Sequence, residues 1–276
     1  MNSETLDLLT VLGQFLNNNP KAVTQNQVNK VMKTGVDEKA ALKALVKEYL
    51  EYNDLLERYY DDILKELEPL DYINNEYYKN INVSGKKFSG WEIKMDKYAP
   101  YELFVYDDFY DMDGVILPRV GYFKKPFPYL GVYQNGRLWM SITPNEINTM
   151  KEPINKAHGK VLTFGLGLGY FAYMASNKSD VESVTIVEAD PKIINLFKSI
   201  ILPNFKNKDK INIIEADAYS YLKKLKDNEY DYIFVDIYHD ASDGLDTYMK
   251  MRKNVDKLNN TEVEFWIYNT IKYYLW

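Results

Sequence analysis

Three glycines and a short series of acids carry the chemistry available to this sequence. Gly165, Gly167 and Gly169 stand in the run Gly165-Leu166-Gly167-Leu168-Gly169. The run joins the apolar stretch Val161-Leu162-Thr163-Phe164 to a helix-forming stretch, Tyr170 to Ala175. Glycines at such a junction let the backbone turn tightly and let a ligand approach with no Cβ in the way. Glu188 closes the apolar run Val184-Thr185-Ile186-Val187, and Asp217 and Ala218 follow Ile211-Asn212-Ile213-Ile214. Asp236 closes Tyr232-Ile233-Phe234-Val235, with His239 and Asp240 just behind it. A carboxylate at the tip of the second strand can accept from both hydroxyls of a ribose. One at the third can accept from an exocyclic adenine amine while a neighbouring backbone N–H donates to the ring. An acid at a strand tip can equally cap the next helix, the role expected of Asp190 before Pro191. The ordered recurrence of such tips favours adenosine binding.

The glycine spacing separates two ligand classes. A dinucleotide fingerprint G-x-G-x-x-G would place its third glycine at position 170, which is Tyr170. The observed G-x-G-x-G is the spacing usual in S-adenosylmethionine (SAM) enzymes. Four strands with polar tips, separated by helical segments, predict an α/β, Rossmann-like sheet whose ligand lies at its carboxyl edge.

Residues 160–245 resemble a class I SAM-dependent methyltransferase, and within that superfamily the spermidine synthase (aminopropyltransferase) branch. The matching phrases are Val161 to Gly169, Val184 to Asp190, Ala216-Asp217-Ala218 and Tyr230 to Asp236. The resemblance implies that Gly165, Gly167 and Gly169 flank the methionine part of the donor. Glu188 would then hold the ribose and Asp217 with Ala218 the adenine, while Asp236 faces the reacting centre. Three positions depart from the two patterns. Leu168 stands where aminopropyltransferases carry the Asp that pairs with the amine of decarboxylated SAM. His239 replaces the second acid of their D-x-x-D, and Thr163 stands where methyltransferases usually have an acid.

A methyltransferase using SAM on a small or medium polar acceptor is the function expected from this combination. The alternatives are a spermidine synthase-like aminopropyltransferase, for which decarboxylated SAM would be the donor, and a non-catalytic SAM-binding scaffold. Transfer to a neutral nucleophile needs alignment and a route for one proton to leave. His239, an imidazole of ordinary pKa near 6.5, could take it with Asp236 or Asp240 orienting the ring, or could be an exposed loop residue.

Other elements must position these groups. Residues 1–70 read as helical, with Thr24-x-x-Gln27 a capping box, Gly35 a stop, and a third helix predicted from about Asp37 to about Leu67. Residues 81–143 read as a small antiparallel β region in which Asn135-Gly136 signals a hairpin. Residues 144–276 form the predicted SAM-binding domain, opening on the capping box Thr143-Pro144-Asn145-Glu146. Thr261-x-x-Glu264 reads as a further capping box, so the chain is expected to end in a helix without the last strands of the sheet. The sheet edge left open needs cover from that helix or from a second copy in a homodimer.

Composition narrows the field. Among 276 residues, 34 Lys and Arg against 40 Asp and Glu leave a net charge of −6, which argues against a nucleic-acid partner. The absence of cysteine and the presence of only two histidines exclude thiolate and multi-histidine metal centres, so no metal is expected. No apolar run is long enough to span a bilayer, and a cytoplasmic protein acting on a small-molecule acceptor is the expectation.

Overall fold

The computed structural model describes residues 3–50 and 53–275. They form two compact units, one comprising residues up to 72 together with 96–129, the other residues 73–95 together with 130–275.

In the first unit, helices Ser3–Asn18, Gln25–Met32 and Glu38–Tyr49 share a core with a three-stranded sheet of Leu64–Glu66, Val115–Tyr122 and Phe104–Met112. Leu8, Leu12, Leu42, Val46, Leu55 and Leu117 are buried in that core. The Thr24 capping box forms as expected, with the Thr24 hydroxyl accepting from the Gln27 backbone and the Gln27 side chain reaching back. The single long helix predicted from Asp37 does not form. Asn53 accepts from the backbone N–H groups of Leu55 and Leu56 and starts a new helix, Asp54–Arg58, because its short side chain competes for those donors. Leu64–Glu66 then runs as a strand parallel to Val120–Tyr122, so a backbone partner distant in sequence overrides helix propensity.

The second unit holds a five-stranded, fully parallel sheet. Its order is Ile211–Glu215, Val181–Glu188, Gly159–Phe164, Tyr232–Val235, Glu262–Phe265. Starting from the strand before the glycine run, the chain adds two strands to one side and then two to the other, which creates a topological switch point beside that run. Val161, Leu162, Phe164, Val184, Ile186 and the whole of Tyr232–Val235 are buried, as continuous apolar runs in a parallel sheet require. A smaller sheet carries the Asn135-Gly136 hairpin, with both residues at positive φ (51° and 80°) as a type I′ turn demands.

The predicted terminal helix is present but starts later than expected, as Tyr268–Ile271. Thr261-x-x-Glu264 does not cap a helix; Glu262–Phe265 is the fifth strand and covers the edge that was expected to lie open. Pairing with Tyr232–Val235 satisfies the backbone groups on its inner side. The Tyr232 hydroxyl donates to Glu264 at 2.5 Å, and Lys156 forms an ion pair with the same carboxylate. No helix among the described residues is long and apolar enough to cross a membrane.

Candidate functional site

Strand Gly159–Phe164 delivers the glycine turn to the carboxyl edge of the sheet. Gly165, Gly167 and Gly169 all adopt positive φ, at 94°, 52° and 73°. Two of them are also demanded by packing. A Cβ on Gly165 would run into the backbone carbonyl of Asp236, and one on Gly169 would strike the Phe197 ring. Gly167 faces open space, with nothing within 4 Å of where its Cβ would lie. The turn is fastened from outside by Tyr77, fully buried, whose hydroxyl donates to the Leu168 carbonyl at 2.6 Å. Leu168 itself is buried and apolar.

The other predicted groups fall into two sets. Glu188 ends its strand as expected and accepts from Leu166 N–H at 3.2 Å, Ala189 N–H at 2.8 Å and Asp190 N–H at 2.9 Å. Of about four acceptor positions on a carboxylate, one is left for a ligand hydroxyl. Asp217 caps helix Ala218–Leu222 through Ser220 N–H, and the Ser220 side chain first, with its backbone N–H second, holds the Asp217 carboxyl below the usual range. Asp190 caps the helix beginning at Pro191, as predicted. Asp240 caps helix Ala241–Val255 in a reciprocal box with Asp243. His239 is 76% exposed and its Nδ1 lies 3.2 Å from Asp243.

Asp236 stands apart from these. Its N–H donates to Phe164 at 2.9 Å, which seats it on the edge of the sheet against Gly165. The carboxyl is packed round by protein while keeping some solvent contact, and burial pushes it up to about 7, with His239 pulling weakly the other way. Glu146 is its neighbour. Burial first, and then the Asp236 charge, hold the Glu146 carboxyl well above the ordinary range. Thr143 precedes helix Pro144–Thr149, but no side-chain capping bond forms, so the expected capping box is incomplete and Glu146 instead feels the charge of Asp236. Tyr170 completes the group. Its hydroxyl accepts from Asn75 Nδ2 at 2.7 Å, and burial with the nearby Glu146 carries it up to about 12.

Glu146, Tyr170, Tyr77 and Asn75 were not singled out as site residues in the sequence. Glu146 was masked by its resemblance to a helix cap and Tyr170 by its position inside a helix. Tyr77 and Asn75 lie in a segment with no motif.

A nucleoside sulfonium fits the residues present. Open room over Gly167, an acceptor remaining on Glu188 and an acid beside the turn at Asp236 are the features such a ligand needs.

Residues 149–256 match the family model described as the spermine/spermidine synthase domain. Sheet order, glycine turn and this match together give the carboxyl half of the chain a class I methyltransferase-like, spermidine synthase-like fold. Similar solved structures include spermidine synthase from Thermotoga maritima, at 17% identity, 48% of this chain, 45% of that chain and a TM-score of 0.35. A spermidine synthase in complex with the transition-state analogue AdoDATO gives 18%, 52%, 57% and 0.39 for the same measures. The SAH-bound methyltransferase of Podospora anserina gives 22%, 41%, 46% and 0.33. The chain thus spans about half the length of these structures. Comparison with curated proteins gives no match.

Proposed function

We propose that this chain is a SAM-dependent methyltransferase acting on a small amine. The observation that carries the reading is Asp236, seated against Gly165 of the glycine turn, with Glu146 near enough to feel its charge. Two acids in one enclosed place favour a cationic acceptor over a neutral or acidic one, because each is relieved by a positive charge. When bound, the sulfonium supplies an electrophilic carbon and leaves as a neutral thioether. Asp236, at about 7, is matched to take the proton that an ammonium must lose before its nitrogen can attack. Glu146, its carboxyl pushed upward by burial, can when protonated donate a hydrogen bond to the acceptor or to the Asp236 carboxylate.

Leu168 favours SAM over its decarboxylated form. A buried leucine offers no carboxylate to the amine that decarboxylated SAM presents there, and it does not repel the carboxylate of SAM. The aminopropyltransferase reading has one observation of its own: residues 149–256 match the spermine/spermidine synthase domain.

Titration calorimetry with SAM and with decarboxylated SAM, followed by mass spectrometry of a diamine panel, tests the proposal. SAM is expected to bind more tightly, and the acceptor to gain one methyl group. Preference for the decarboxylated donor, with gain of an aminopropyl group, would establish the alternative. Binding without transfer to any amine would leave a SAM-binding scaffold.

A further inference from the structure

Trp266, the residue after the fifth strand, is bonded toward both acids of the proposed site. Its backbone N–H donates at 2.9 Å to the carbonyl of Val235, the residue before Asp236. Its own carbonyl accepts from the hydroxyl of Tyr238, two residues beyond Asp236. Its indole N–H donates to the Thr149 hydroxyl at 2.8 Å. That hydroxyl donates in turn to the carbonyl of Asn145, the residue before Glu146, at 2.8 Å.

An indole nitrogen is a donor only, and a buried one must find an acceptor. Trp266 is buried, and Thr149 supplies that acceptor. Helix Pro144–Thr149, which carries Glu146, has six residues and no side-chain cap. A helix that short is not stable alone, so its place is set by what it packs against and bonds to. Pro144 and Ile147 are its buried residues, and the Trp266 bond fixes its last turn. The backbone after Trp266 is strained. Ile267 lies at φ 46° and ψ 35°, a left-handed conformation that a β-branched residue keeps only where its surroundings impose it. The bonds of Trp266 hold the chain on one side of it, and Thr270 and Ile271, donating to the Ile267 carbonyl, hold it on the other.

We propose that Trp266 is a positioning residue, holding Glu146 through Thr149 at a fixed place relative to Asp236 on the carboxyl edge of the sheet. What the two acids do rests on the methyltransferase reading; that Trp266 positions them does not. The other titratable groups that act with them are His239 on Asp236 and Tyr170 with Glu146.

Carbon-13 NMR titration of the Glu146 carboxyl in the full chain tests it. Asp236→Asn removes a like charge that Glu146 feels, so the Glu146 midpoint should fall. Trp266→Phe keeps a ring without the N–H, and Thr149→Val keeps the shape without the hydroxyl. Each should shrink that fall by about half or more, whereas Thr149→Ser should preserve it. Thr149→Val should melt within a few degrees of the native chain, so it decides the matter even if Trp266→Phe fails to fold. An undiminished fall in Thr149→Val would overturn the proposal. So would equal losses in the Ser and Val variants, or no fall at all in the native background. If transfer to an amine is found, Trp266→Phe should lower kcat more than it raises the KM for the donor. Absence of transfer would sink the methyltransferase reading and leave the NMR result to stand or fall alone.

Discussion

The backbone carbonyl of Asp236 occupies the space that a Cβ on Gly165 would need. Strand Tyr232–Val235 and the glycine turn are therefore fitted to each other at the atom level, and the acid is held at the turn by backbone packing rather than by its own side chain.

Gly165→Ala is accordingly expected to combine a left-handed backbone penalty with an overpacked contact, about 2–5 kcal/mol in all. Gly167→Ala, at positive φ but facing open space, should cost only about 1–2 kcal/mol. Urea unfolding of the two variants measures the difference; equal losses would contradict the packing account.

Asp236 makes stability fall with rising pH. Its folded value, about 7, lies above the ordinary 3.8, so between about pH 4 and pH 7 the folded chain binds more protons than the unfolded one. The favourable contribution is complete below pH 4 and lost as pH rises through 7, and Glu146 acts with the same sign. Asp236→Asn should therefore be more stable than the native chain at pH 8, by about 1–4 kcal/mol, with the advantage vanishing near pH 4. Denaturant midpoints at the two pH values check this.

Removing the Tyr77 hydroxyl should disturb the glycine turn without touching a ligand. Tyr77→Phe leaves the Leu168 carbonyl without this donor, at an expected cost of about 1–2 kcal/mol. Hydrogen exchange should quicken at residues 165–169 before it does so in the sheet strands.

Asp217 allows helix capping to be separated from nucleoside binding. Asp217→Ala should lose about 1 kcal/mol with the cap, whereas Asp217→Asn, which can still accept from Ser220 N–H, should lose a few tenths. If Asp217 also receives the adenine amine, the Asn variant will bind SAM more weakly while unfolding almost as the native chain does. Unchanged affinity in the Asn variant would confine Asp217 to the cap.

The nucleotide-binding half was readable because its signals are local. A short buried run followed by glycines predicts strand and turn wherever it occurs, and Glu188 and Asp236 fall at strand ends by counting along the chain. The Asn135-Gly136 hairpin is legible for the same reason: its positive φ values are preferences of those residue types. Capping patterns were less dependable. Thr24-x-x-Gln27 forms its reciprocal bonds, Thr143-x-x-Glu146 does not, and Thr261-x-x-Glu264 belongs to a strand.

What the sequence by itself determined is the order of strand, turn and acid, because each rests on preferences within a few residues. Only the tertiary structure decided that Glu146 stands beside Asp236, 90 positions away in the chain, and that burial carries both carboxyls upward. It alone made strands of Leu64–Glu66 and Glu262–Phe265, since a strand is settled by a backbone partner far along the chain. The burial of the Tyr60 hydroxyl with no hydrogen-bond partner among the described residues is of the same kind, because it depends on everything packed around the group.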